Sequence, residues 1–221
     1  MIWLRALPFA MVWLLCSQPS AQAQTATAPR SACMNYLFKP PNFNFSVTFV
    51  PSPPNCRTVQ QSSIADLVTL KGLHLSADVF SVERVEDDDY VALQRVSVAR
   101  PKGWTIGVDE SLYNRDNMRD TMFKMLGLEG RRTGPVEPLS HYVRITVDGL
   151  PGVEIGGAAD ADIYQPGRID IRSRFVWAHF IVDRSANIGY FVMLRQDVTG
   201  RGTFDMTANA FQFVEGFRVN R

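Results

Sequence analysis

The sequence predicts an α+β fold: an antiparallel sheet covered by helices, preceded by an N-terminal disulfide-stapled flap. Three observations predict it. Apolar and polar residues alternate in paired runs joined by turn residues, as in "YVRITVDGLPGVEIGG", which reads as hairpins and not as strands separated by crossover helices. Apolar residues recur at helical spacing in a few separate stretches. Finally, Cys33 and Cys56 bracket a segment holding five prolines and four phenylalanines.

From the N-terminus, Arg5 precedes an apolar run from Ala6 to Leu15, and Ala21-Gln22-Ala23 follows. This is the pattern of a secretory signal peptide, residues 1–23. The run is half the roughly 20 residues that span a bilayer, so a cleaved leader is favoured over a retained anchor. Cys16 follows Trp13-Leu14-Leu15, which lacks the small residue expected beside a lipidated cysteine. No later segment is apolar enough for a membrane span. Removing residues 1–23 of the 221 leaves 198, and Arg5 is the only charge lost, so 22 Lys plus Arg face 22 Asp plus Glu. A neutral chain of this kind favours neither nucleic acid nor an anionic membrane surface as partner. Its length suits one domain with a sizeable core.

Residues 24–32, "QTATAPRSA", read as a disordered leader. Residues 33–61 form the flap, expected to be extended or loop-rich without strong secondary structure of its own. An even cysteine count in an exported chain predicts a Cys33–Cys56 bond, and a loop of this length gives it about 3 kcal/mol in the chain-entropy model. The alternative, a redox or metal pair, lacks Cys-x-x-Cys spacing. The exported setting is the periplasm if the host is bacterial.

Residues 62–221 are expected to be the single α+β domain. Ser63-Ile64-Ala65-Asp66 has capping-box spacing and, with Leu67, Val68 and Lys71-Gly72, predicts a short helix. "VFSVERV" and "YVALQRVSVA" predict a hairpin around the charged turn Glu86 to Asp89, whose acids lack the spacing of a calcium loop. Pro101 and Gly103 mark a bend before a strand beginning at Trp104. Met118, Met122, Met125 and Leu126 recur on one helical face, with Asp116 or Asn117 as cap and Gly127 as stop. A methionine groove or copper path is the functional alternative to an apolar stripe packed on a sheet. Val143, Ile145 and Val147 alternate with Tyr142, Arg144 and Thr146 into the Asp148-Gly149 turn, which predicts a second hairpin. A loop over residues 157–168 follows, with Asp160 and Asp162 two apart; a metal or acid–base pair is the functional reading there and an ordinary loop the plain one. Two long strands joined by "RSANIG" then carry apolar residues on both faces, as central strands do. Thr203 caps a closing helix through Phe204, Ala208, Phe211 and Val214 or Glu215, stopped by Gly216.

The candidate site residues lie mostly on the first of those long strands. His179 shares a face with Phe175, Trp177 and Ile181 and is expected to be a hydrogen-bonded core or pocket-wall histidine, with partial burial moving its pKa. Arg172 and Arg174, with Arg168 and Asp170, share a parity that suits either an anion-binding stripe or a solvated strand end. Trp177, His179, Arg172 and Arg174 are thus the candidate ligand-binding residues. No catalytic elbow, zinc motif, phosphate loop or dinucleotide fingerprint occurs, so no cofactor or metal is expected. A triad assembled from distant residues around His141 remains open.

In "ARPKGWTIG", "VDGLPGVE" and "ANAFQFVEGFRV" the chain resembles the Mog1/PsbP-like group, over roughly residues 78–219. The three motifs match that group's strand-Pro-Gly-Trp element, central turn and closing helix. The resemblance implies a small non-catalytic accessory or partner-binding protein, and it carries over no functional residues. The expected function is therefore an exported accessory or binding protein, contacting a protein partner or small ligand through a sheet face, the flap or loop 157–168. The alternative is a hydrolase-like enzyme using His141 or His179 with an acidic partner.

Overall fold

Runs in which every second residue is β-branched or aromatic can bury one face by pairing into sheets, and most of this chain does so. The structure is a computed structural model and describes residues 36–49, 60–70, 73–86, 90–99, 113–128, 138–160 and 171–221. Among them are strands β1 (Tyr36–Phe38), β2 (Phe45–Phe49), β3 (Gln60–Leu70), β4 (Leu73–Glu86) and β5 (Tyr90–Ala99). Helix α1 (Arg115–Leu126) follows, then β6 (His141–Val147), β7 (Leu150–Asp160), β8 (Ile171–Asp183) and β9 (Ile188–Thr199). Helix α2 (Ala208–Glu215) and β10 (Arg218–Val219) close the chain.

Seven strands form one antiparallel sheet in the order β3-β4-β5-β9-β8-β7-β6. The β6–β7 turn is made by Asp148 and Gly149, both at positive φ (50° and 77°), the two-residue turn whose twist matches paired strands. At the β8–β9 turn the Asp183 carboxylate accepts hydrogen bonds from the Ser185 hydroxyl and from the backbone N–H groups of Ser185 and Ala186. β8 and β9 are central and buried on both faces, as their apolar residues at both parities require.

Each face of the sheet has its own cover. α1 lays Met118, Met122 and Leu126, all fully buried, against Val153, Ile155, Val176, Ala178 and Phe180. Its methionines are core, which answers the groove alternative. Asn114, and not Asp116 or Asn117, caps the helix, its side chain accepting the Asn117 N–H, and Gly127 ends it at φ 77°. On the other face α2 packs Ala210, Phe213 and Val214 against Phe80, Val96, Ile181, Tyr190 and Val192.

Four expectations need correction. Residues 63–72 are not a helix: Gln60–Leu70 is strand β3, with Ile64 opposite Ala77, because pairing along β4 outweighs a local capping pattern. The bulges after Ile64 and Leu67 accommodate residues that suit neither pattern well. Part of the flap has secondary structure: β2 lies between β1 and β10 in a three-stranded sheet. Phe45 is fully buried there, its ring against Phe38, Phe43, Phe80, Tyr190 and Phe217. Residues 157–160 continue β7 and are not loop. The closing helix begins at Ala208, with Thr207 and not Thr203 at its cap position. Cys33, Cys56, the signal segment, the turn at 87–89, Trp104, Asp162, Arg168 and Asp170 lie outside the described residues. None of the described helices is long and apolar enough to cross a membrane.

Candidate functional site

Strand register assembles the site. On the sheet face beneath α2, His141 of β6, Gly156 of β7 and Trp177 of β8 stand in one row, and Val143, Glu154 and His179 in the next. Glu154 is flanked on its own face of β7 by Gly152 and Gly156. A Cβ on Gly156 would stand 2.4 Å from the Trp177 ring and one on Gly152 2.4 Å from the Phe180 carbonyl oxygen. The missing side chain at 156 is what lets Trp177 lie across β7 and stack on His141, with ring centroids 4.5 Å apart and planes 25° from parallel. Phe211 of α2 meets Trp177 edge-on at 5.6 Å. The stacked pair is thereby held from above.

Both histidines converge on Glu154. His141 Nε2 lies 2.7 Å from Oε1 and His179 Nε2 lies 2.5 Å from Oε2. An ionised carboxylate has only acceptor sites, so an imidazole that meets one through Nε2 donates the Nε2–H to it, and burial favours the neutral form of His179. This fixes the tautomer: His179 Nδ1 is left with a lone pair. That atom is buried and without a hydrogen-bond partner among the described residues, as is the Trp177 indole N–H. His179 is 7% exposed. Its pKa is lowered, first by burial and also by the nearby His141, against the hydrogen bond and charge of Glu154 and the charge of Glu215. No group of three ligating side chains that could hold a metal ion is found among the described residues.

Beside His179 opens a groove of about 420 Å³, lined by Ile145, Thr146, Val147, Asp148, His179, Glu215 and Arg218. Arg218 Nη1 donates to the backbone carbonyls of Glu215 and Phe217, and Asp148 Oδ2 accepts the Val219 N–H. A second depression, of about 520 Å³, lies by Tyr113, Asp183 and Arg221. Its buried acid is committed: burial pushes the Asp183 pKa up, but the bonds from Ser185 and Ala186 and the charge of Arg221 outweigh this and hold it low.

Of the sequence-predicted residues, Trp177 and His179 come together here, joined by His141. Arg172 and Arg174 do not. They have the opposite parity on β8; Arg174 grips Asp197 of β9 with two bonds, at 2.6 and 3.1 Å, and Arg172 donates to the Gly202 carbonyl. The residues that sequence reasoning missed are Glu154 and Glu215. Glu154 carried one signal, an acid between two same-face glycines in an otherwise apolar strand. Glu215 carried none beyond closing a helix. No family model, curated protein or solved structure matches this chain, and the site's own geometry therefore carries the functional reading.

Proposed function

We propose that the protein is an exported, non-catalytic binding protein that seats a small ligand in the groove between β6 and the α2–β10 segment. One observation carries this reading: the groove brings a buried imidazole, His179, together with the carboxylates of Asp148 and Glu215 and the apolar side chains of Ile145 and Val147. The groove falls within the usual size range of small-molecule sites. Export rests on the leader-like residues 1–23, and a Cys33–Cys56 bond completes the proposal for the N-terminal segment. Kinship with the Mog1/PsbP-like group is proposed on the three motifs quoted above and agrees with a non-catalytic role.

A native mass spectrum of protein isolated from its own host's exported fraction tests the reading. The expected result is an added non-protein mass that is missing from His179→Phe, on a chain cut after Ala23 and lighter by two hydrogens. A bare wild-type chain overturns the ligand, and an uncut chain overturns export.

The Glu154–His179 pair supports a second reading, a hydrolase-like enzyme, since a carboxylate orienting a neutral imidazole is how a general base is prepared. Against it, the groove's one lining cation among the described residues, Arg218, spends Nη1 on two carbonyls. Hydrolysis of a simple aryl ester that disappears in both His179→Gln and Glu154→Gln is the result that would favour the enzyme.

A further inference from the structure

The other face of the large sheet, which α1 covers in part, carries an unbalanced charge. Strand register sets Arg174 of β8 opposite Asp197 of β9, Arg195 of β9 between Val176 of β8 and Leu93 of β5, and Arg95 of β5 opposite Met193, all on that face. Asp197 accepts two bonds from Arg174, and Arg195 Nη2 lies 3.1 Å from its Oδ2. One carboxylate thus serves two guanidinium groups. Arg95 has no such partner: it is partly buried, and it makes no hydrogen bond or ion pair among the described residues. Burial, and after it the charge of Arg195, lowers its pKa. By register, position 83 of β4, a glutamate, also falls on this face, opposite Leu93, which leaves the three arginines facing two acids.

A partly desolvated charge beside a like charge is costly unless an ion of opposite sign joins them. Arg95 Nε is sealed from solvent, but its Nη groups are neither sealed nor hydrogen-bonded among the described residues, so they reach the surface near Arg195. Guanidinium donors form a fork that matches the oxygens of carboxylate and phosphate. A carboxylate brings a single negative charge, whereas a phosphoryl group brings about two and three acceptor oxygens, enough to face both arginines. We propose a second ligand site, separate from the His179 groove, in which Arg95 and Arg195 hold a phosphoryl group, either free phosphate or a phosphate monoester.

Inorganic phosphate, glycerol phosphate and acetate, each titrated into the full chain at one ionic strength, test this. The unfolding temperature and the arginine Nε–H NMR signals are followed together. Phosphate is expected to raise the unfolding temperature and to shift the Arg95 and Arg195 signals, with acetate binding at least about tenfold more weakly. Arg95→Gln, which relieves the repulsion, is expected to fold without loss of stability and to lose the phosphate response. A glycerol phosphate response equal to that of phosphate assigns the site to a phosphoryl group on a larger molecule, and a response to phosphate alone assigns it to the free ion. If acetate acts as strongly as phosphate, or if Arg95→Gln responds like wild type, the phosphoryl assignment fails. If no probe moves the Arg95 signal in the wild-type chain, the site itself is refuted, whether or not the variant folds.

Discussion

Burial strips water from the His179 ring and lowers its pKa below the usual 6.5, while Glu154 and Glu215, acting from β7 and α2, pull it up and His141 of β6 pushes it down. Folded His179 is therefore neutral at pH 7 and resists a second proton that the unfolded chain accepts readily. As pH falls below about 6.5 the unfolded state binds more protons than the folded state, so stability drops until the folded pKa is reached and then levels. The urea midpoint is expected to be lower at about pH 5.5 than at about pH 7.5. His179→Gln, which keeps a donor for Glu154, should narrow that gap; an unchanged gap would place the acid sensitivity elsewhere. Glu154 tests the clamp itself. Glu154→Ala leaves two imidazole N–H groups without their acceptor and is expected to cost about 1–3 kcal/mol in denaturant unfolding.

At the scale of elements, β7 is a strand on which α1 rests. A Cβ on Gly157 would lie 2.0 Å from the Pro138 carbonyl and 3.0 Å from the Met122 side chain, so Gly157→Ala has to displace the Pro138 backbone and crowd Met122. The expected loss is about 1–3 kcal/mol. Phe45→Ala empties a ring position surrounded by five other aromatic rings and is expected to cost about 3–5 kcal/mol. A loss under about 1 kcal/mol would return β2 to the status of a loose flap. The hairpins were legible because alternation and a two-residue turn specify pairing locally: once Val147 faces Leu150, His141 must face Gly156. The helix at 115–126 was legible for a similar reason, its apolar spacing and Gly127. Residues 63–72 were not, because their capping pattern is local and the β4 partner that overrides it is not. Half of the site was hidden for the same cause. The facing of Glu154 and His179 depends on how β7 meets β8 across a connection of residues 161–170, which is too long for a two-residue turn to set the register. The sequence could thus nominate both histidines and still leave out the carboxylate that joins them.

On the scale of the whole molecule, the small sheet ties the two ends of the described chain together. β10 pairs with β2, the Asn220 N–H donates to the Asn44 carbonyl, and Ser46 Oγ meets the Asn220 side chain across 174 residues of sequence. Phe217, fully buried, completes the aromatic cluster around Phe45. Ending the chain after Gly216 removes this ring along with β10 and is expected to cost at least about 3 kcal/mol. It should also speed proteolysis within residues 36–49, where protease mapping against the full chain checks it. The same clasp has a bearing on timing. Because β2, the central strand of the small sheet, lacks one of its two neighbours until residues 218–219 exist, that sheet is completed only after all seven strands of the large one have been made.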